Sequence, residues 1–527
     1  MPAANETVFR PELIFALVGG SGARLEELEK ELKVELKAYN YDASDIRLSK
    51  LLDNFMERSD QQGTSESDRI RHLQQMGDAL RRRLGDGAAL ARAALAEIRV
   101  NRFVASGSPD SPASGHAYIL HQLKHPDEVD LLRRVYGSSF LLIAGHAPRE
   151  QRVNELAKRM ATKAGQSGKG RLFEPEASNV INIDEKEEGD VFGQSQRDTY
   201  PKADFFANVG ESYGGSQVGR LVRLLFGHPL TSPNPDEYAM YLASAVALRS
   251  SDDNRQVGAV IVNLTRRQGA NIKNADVIAV GMNEVPCGGG GFYWGDESPD
   301  NRDQKLLERG DDRAAEIKIG VLAELIERLV KEEGLRDQIG TRQPSDLARD
   351  LVKNHSLKGT QFMEIGEFSR PVHAEMAALI DAARRGVAVE GHSMYVTTFP
   401  CHNCAKHIIA AGIRRVVYLE PYPKSRALDL HGEEIFSELT ARSPYKEQVE
   451  FFAFSGVAPR QYSQLFSMGE RGAKRGNSLQ KWDAQKGSLS PLYVHPNAPL
   501  AYLAAERQEL EKLPLEVYRW DKNKVCP

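Results

Sequence analysis

Two short motifs constrain this chain more than anything else in it: His373-Ala374-Glu375 and Pro400-Cys401-His402-Asn403-Cys404. Each is followed by apolar residues at helical spacing, and Met394–Thr398 between them reads as a strand. One histidine and two cysteines are three ligands of the kind zinc takes, and a catalytic zinc keeps its fourth position for water. If Pro400 opens a helix, the sulfurs of Cys401 and Cys404 both point off its first turn, where the helix dipole favours thiolate. Any fold that uses the motifs must bring these three side chains together, and it leaves the carboxylate of Glu375 free to move protons.

The order H-x-E … P-C-x-x-C is the signature of zinc nucleobase deaminases. The chemistry needs these residue types. Hydrolytic deamination puts hydroxide on C4 of cytosine and expels ammonia, and bulk water is too weak an acid to supply hydroxide at neutral pH. Zinc lowers the pKa of bound water to roughly 7. Glu375 is then expected to take a proton from water, protonate N3 and protonate the departing amine. A C-x-x-C by itself also fits a redox pair or half of a structural zinc site. Structural sites close with four protein ligands, but the other cysteines, Cys287 and Cys526, form no second C-x-x-C.

The chain has 527 residues and a formal net charge of -4. At roughly 100–200 residues per domain that length predicts two to four domains. No apolar run reaches the ~18 residues of a membrane span, and Met1–Glu12 lacks the charged-then-apolar pattern of a secretory signal. Four cysteines, two of them assigned to zinc, predict a reducing compartment and a cytoplasmic protein. The acidic balance argues against a protein that coats nucleic acid, which shows a basic footprint.

In the N-terminal half, Leu13–Val18 is a short apolar run read as a buried strand. Gly19-Gly20-Ser21-Gly22 follows, then a helical stretch from Ala23 to Leu36. Strand, glycine turn and helix form the context of a phosphate-binding loop. The pattern G-x-x-x-x-G-K-[ST] is incomplete, without the Lys and the Ser/Thr that would meet Mg²⁺, so the reading is anion binding without phosphoryl transfer. Strands are expected at 117–120, 140–144 and 203–208, and helices at 70–84, 88–98, 126–136, 148–163 and 217–226. Alternating strands and helices predict a parallel sheet. Residues 1–227 resemble P-loop kinases of the nucleotide and dephospho-coenzyme A kinase type. The resemblance rests on the first strand-turn-helix, on Pro148-Arg149-Glu150 … Arg152 and on Ala203-Asp204 … Asn208 with its closing helix.

Residues 227–235 hold three prolines and read as a linker. Beyond it the expected order is helix, two strands, helix, strand, helix, strand, a layered α/β/α domain over 236–470. Here Ser250-Ser251-Asp252 … Gln256-Val257-Gly258-Ala259, Gly281-Met282-Asn283, the two zinc motifs and Ala411-Gly412-Ile413 resemble deoxycytidylate deaminase. That resemblance implies a five-stranded sheet between helices, with zinc at helix N-termini and free deoxycytidine nucleotides as substrate. It also implies that Asn283 bonds the sugar, that the backbone of Ala374 and Thr398 reads the base edge, and that Ser250 meets a phosphate. Lys424, after a predicted strand, is a further phosphate candidate.

A kinase-like half joined to this deaminase is similar to the bacterial anti-phage dCTP/dCMP deaminases, a cytidine deaminase-like domain behind a degenerate P-loop domain. The supporting stretches are Leu248–Ser251 with Arg255–Gly258, Arg370–Glu375 and Glu420–Ser425. The resemblance implies depletion of deoxycytidine nucleotides during infection, under control of the N-terminal half by a nucleotide or an inhibitory RNA, in a homo-oligomer away from membranes. The segment 288–368 is an insertion, with helical spacing over 317–331. Residues 471–527 form an extension with a helical run at 500–513. Two other readings differ in class. A polynucleotide-editing deaminase would want a basic groove with stacking aromatics; a binding module with an inert deaminase half is opposed by the intact Glu375.

Overall fold

The computed structural model describes residues 10–513 apart from short stretches, the longest of which are 55–64, 303–312, 332–341 and 480–489. Two six-stranded sheets organise the described residues.

The first sheet is built from β1 (Leu13–Gly19), β2 (Asp42–Arg47), β3 (His116–His121), β4 (Phe140–His146) and β5 (Phe205–Asn208). They are mutually parallel and lie in the order β5-β4-β1-β3-β2. Every residue of β1 is buried, as expected of a strand covered on both faces. Side chains alternate across a strand, so Ile14, Ala16 and Val18 enter one core while Leu13, Phe15 and Leu17 enter another. The helices are α1 (Leu25–Lys37), α2 (Glu66–Leu84), α3 (Ala89–Ser106), α4 (Pro126–Tyr136), α5 (Arg149–Lys163) and α6 (Gln217–Leu225). α3 and α4 supply the first core, and α1 and α6 the second. The expected strands and helices of this half are present, and the parallel sheet with them. β2 is an addition. Its sequence, DASDIR, buries only Ile46, because an edge strand needs ladder bonds on one side and no apolar alternation.

The linker region ends in a strong helix start. Asn234 caps α7 (Pro235–Ala247): its side chain accepts from the backbone N–H of Glu237 at 2.8 Å, and the Glu237 carboxylate accepts from the N–H of Asn234 at 2.8 Å. The second sheet contains β6 (Gly258–Arg266), β7 (Ile272–Met282), β8 (Ser393–Thr398), β9 (Arg415–Glu420), β10 (Ile435–Ser437) and β11 (Val449–Ala453), in the order β10-β11-β9-β8-β6-β7. β6 is antiparallel to β7 and β8, while β8, β9, β11 and β10 run parallel. The resemblance implied five strands; the sixth, β10, is three residues long. Within the insertion, α8 (Arg313–Lys331) packs on α9 (Pro344–Lys353) through Ile319, Ile326, Ala348 and Val352. Much of the rest of it lies outside the described residues. α7 covers one face of the sheet. α10 (Ala374–Arg384) and α11 (His402–Ala410) cover the other. Gly281 on β7 is required there: a β-carbon would overlap the backbone of Ala374 and Ala378 on α10.

After β11 the chain returns to the first sheet. β12 (Gly456–Val457) pairs antiparallel with β5, and α12 (Pro459–Phe466) follows. α13 (Ala498–Leu510) then packs on α3 and α4. Its Glu506 takes a two-pronged bond from Arg102 on α3, at 2.7 Å for each nitrogen, while Nε of Arg102 donates to Glu12 at 2.9 Å. All three side chains are fully buried. The helical run expected in the extension is thus present, and its contacts belong to the first sheet's layer. Residues 514–527 lie outside the described residues.

Candidate active site

The two motifs open two helices side by side. His373 is the N-cap residue of α10 and Cys401 that of α11, both with extended backbone. Glu375 and Cys404 sit in the first turns. The sulfurs of Cys401 and Cys404 lie 3.3 and 3.4 Å from Nδ1 of His373, and the three donor atoms lie within 4.8 Å of one another. Tetrahedral Zn–S and Zn–N bonds of about 2.3 and 2.0–2.1 Å put such atoms roughly 3.5 Å apart. Donor types and spacing both fit Zn²⁺. Two helix N-termini also add their dipoles' positive ends to a pair of thiolates.

The electrostatics agree. A hydrogen bond from Cys404 and the neighbouring His373 bring the Cys401 thiol down to about 4, while the bond to Cys401 raises His373 to about 9. The bond to Cys401, and then burial, push Cys404 well up. A dication among these groups favours thiolate and neutral imidazole, so metal binding releases protons. Glu375 is 5 % exposed; burial, and then the charge of Cys401, push its carboxyl up to about 7.

Around this centre the expected contact residues are placed as follows. Ala374 and Thr398 are buried beside the ligands, at the start of α10 and the end of β8. Asn283 follows β7, but its amide works inside the protein: Nδ2 donates to Asp252 at 3.1 Å and to the carbonyl of Arg255 at 2.8 Å, and Oδ1 accepts from the N–H of Val257 at 2.7 Å. Ser250 is 4 % exposed. Its hydroxyl donates to the carbonyl of Asn283 at 2.6 Å, so it braces that loop. Lys424 lies in the turn after β9. The next residue, Ser425, donates to the carbonyl of Pro400 at 2.7 Å and ties that turn to the zinc loop. Gly19–Gly22 are not part of this centre; they lie at the end of β1 in the first sheet.

Three features escape a reading of the motifs. The Ser425–Pro400 bond is one. Arg255 and Glu420, 2.8 Å apart, are the second. The third is Arg249, whose guanidinium stacks 3.7 Å over the ring of Trp294. None has a spacing signature, since each joins segments far apart in sequence.

Residues 233–420 match the family model of the cytidine and deoxycytidylate deaminase zinc-binding region. The chain therefore carries a zinc-binding domain of the deoxycytidylate deaminase type. Deoxycytidylate deaminase of Enterobacteria phage T2 is 41% identical over 76 residues, 14% of this chain and 38% of that one. The human deoxycytidylate deaminase is 47% identical over 47 residues, 9% of this chain and 25% of its own length. The chain thus spans well under half the length of these curated relatives. A solved dCMP deaminase from the cyanophage S-TIM5, in complex with dCMP and dUMP, aligns over 42% of this chain and 98% of that chain, with 17% identity and a TM-score of 0.22. No helix among the described residues is long and apolar enough to cross a membrane.

Cys401→Ala is expected to lose the metal. It removes one of the two thiolates, and three protein ligands become two. Metal analysis of the purified chain checks this; a full equivalent of zinc in the variant would remove Cys401 from the ligand set.

Proposed function

We propose that this chain hydrolyses deoxycytidine nucleotides, dCTP or dCMP, to the deoxyuridine nucleotides, and that it does so in the cytoplasm as an anti-phage depletion of dCTP. The observation that carries the reading is the meeting of His373, Cys401 and Cys404 at two helix N-termini with Glu375 buried beside them. Zn²⁺ held by these three would supply the Lewis acidity that makes water a source of hydroxide near neutral pH. The chain's own residues do the rest. Glu375 accepts the proton that water gives up as oxygen joins C4. It passes that proton to N3, then carries the remaining proton of the new C4 hydroxyl to the exocyclic nitrogen, so that ammonia leaves as the C4–N bond breaks and C4 keeps a carbonyl oxygen. A carboxyl with a pKa of about 7 is suited to both directions. The backbone at Ala374 and Thr398 reads the base edge. In this reading Asn283 turns from its internal partners to bond the sugar, and Lys424 meets the phosphates. Incubation with dCMP, dCTP, CMP, CTP and a cytosine-containing oligonucleotide, followed by separation of the products, tests it. Conversion of the oligonucleotide alone would replace the reading by polynucleotide editing.

The N-terminal unit, kinase-like by sequence, regulates this activity in a homo-oligomer. Its glycine turn lies at the carboxyl end of β1, whose neighbours β3 and β4 lead to opposite edges of the sheet. Open α/β sheets bind ligands at such a switch point. In the turn, Gly20 faces Arg152, whose Nη1 lies 2.5 Å from where a β-carbon would sit. That arginine brings positive charge to a turn that lacks the usual Lys. Gly20→Glu is expected to abolish the response of deamination to added nucleotides and to leave zinc content intact. Deamination rates against nucleotide concentration in both proteins check it; identical curves would take the turn out of the regulation, and phosphate transfer by the parent protein would overturn a purely regulatory role.

A further inference from the structure

We infer that Glu420 is a positioning residue through which the N-terminal unit sets the nucleotide side of the active site. The inference rests on the deaminase reading above and adds the route by which the two units communicate.

The route begins at the glycine turn. The carbonyl of Gly19 accepts from Nε2 of Gln122 at 2.9 Å and from Nε2 of Gln196. Gln196 opens a short helix, Gln196–Thr199, which runs into the turn Tyr200–Lys202 against β9. The turn after that helix is what meets the other unit, since Tyr200–Lys202 lies against β9, the strand that Glu420 ends; the charges of Asp198 and Arg197 also act on Glu420, in opposite senses. One short helix therefore touches the glycine turn with its first side chain and, through the turn that continues it, β9 of the deaminase sheet.

Glu420 is well placed to pass this on. It ends β9 opposite Thr398, and its carbonyl accepts from the N–H of Phe399 at 2.8 Å, so its backbone is fixed to the loop that leads to Cys401. Its carboxylate reaches the guanidinium of Arg255 at 2.8 Å. Arg255 in turn holds Asn283, whose amide donates to the Arg255 carbonyl at 2.8 Å and accepts from the N–H of Val257 at 2.7 Å. Asn283 must give up part of this set to bond a sugar. How firmly Glu420 holds Arg255 then decides how readily Asn283 turns outward. A ligand at the glycine turn that draws Gln196 away from Gly19 shifts the Tyr200–Lys202 turn against β9 and, through the end of that strand, changes that hold. Coupling between binding sites is reciprocal, so substrate also alters the turn.

The test uses Gln196→Ala, which leaves every residue of the deaminase site in place, and Glu420→Gln, which keeps the side chain's shape. Each should change the KM for dCMP about 5-fold or more, the lower end of measured couplings, with kcat and bound zinc as in the parent. Because both variants cut one connection, the double variant should do no more than the stronger single one. A parent-like KM in Gln196→Ala, or effects that multiply in the double variant, would overturn the route. If the parent converts no cytosine nucleotide, the deaminase reading fails. The route is then judged on amide hydrogen exchange: Gln196→Ala should change protection at the N–H groups of Val257 and Asn283, and parent-like protection at both would overturn it.

Discussion

Glu375→Ala is expected to keep its zinc and its fold and to lose about 10²–10⁴-fold in deamination rate, the usual contribution of general acid–base catalysis. The magnitude should lie toward the upper end, because one carboxyl serves several proton transfers. Glu375 is not one of the three donors, so its removal leaves the ligand set whole. Its surroundings suit proton transfer, since burial raises the carboxyl to about 7, within reach of both protonation states near neutral pH. Glu375→Gln separates the roles, since it retains the size and hydrogen bonds of the side chain but cannot carry a proton. Metal analysis, circular dichroism and chromatography of the deaminated product read the three properties separately. Near-parent turnover in either variant would mean that another residue moves the protons.

Glu506→Ala should destabilise the protein by about 3–5 kcal/mol, the cost of removing one partner from a buried ion pair. Arg102 is fully buried between Glu506 and Glu12, and Tyr136 also donates to Glu506 at 2.8 Å. The alanine variant takes the Glu506 acceptor from both terminal nitrogens of Arg102 and from the Tyr136 hydroxyl, and leaves Arg102 with Glu12 and the carbonyl of Pro109. Glu506→Gln keeps one of the two acceptor oxygens and fills the same space, so it should cost less. Chemical denaturation followed by far-ultraviolet circular dichroism measures the loss, and zinc content should be parent-like in the folded variant, because the deaminase site is on the other sheet. A midpoint unchanged from the parent would show that α13 contributes nothing through this network.

The zinc centre was legible in sequence because its geometry is local: each motif fits within one helix start, and only their meeting depends on the fold. The apolar runs Leu13–Val18 and Val257–Val262 were legible for the same reason, since burial on both faces writes itself as a continuous run. Asn283 shows the limit. Its place after a strand was readable, but whether its amide faces substrate or its own loop depends on Asp252, Arg255 and Val257 arriving at one point. Ser250 is alike, its hydroxyl consumed by the Asn283 carbonyl. β2 was invisible because an edge strand with five polar or small residues in six carries no alternation. α13 was visible as a helix, but its partner surface was not, because Glu506 and Glu509 look like solvated charges until Arg102 and Arg92 are found opposite them.

The return of the chain to its first sheet has a consequence for synthesis. The bond from Arg102 to Glu506 joins residues 404 positions apart, and that from Tyr502 to Glu12 spans 490. Domains ordinarily fold in turn as they leave the ribosome. Here the first sheet to emerge waits for nearly the last helix, with Glu12, Arg102 and the faces of α3 and α4 lacking their α13 partners meanwhile. The strands of the deaminase sheet all lie between Gly258 and Ala453, so its ladder can close before α13 is made. A ribosome that stops short of α13 therefore releases a chain whose later-made sheet is paired and whose earlier-made layer is not, and that layer is where chaperones and proteases would engage it.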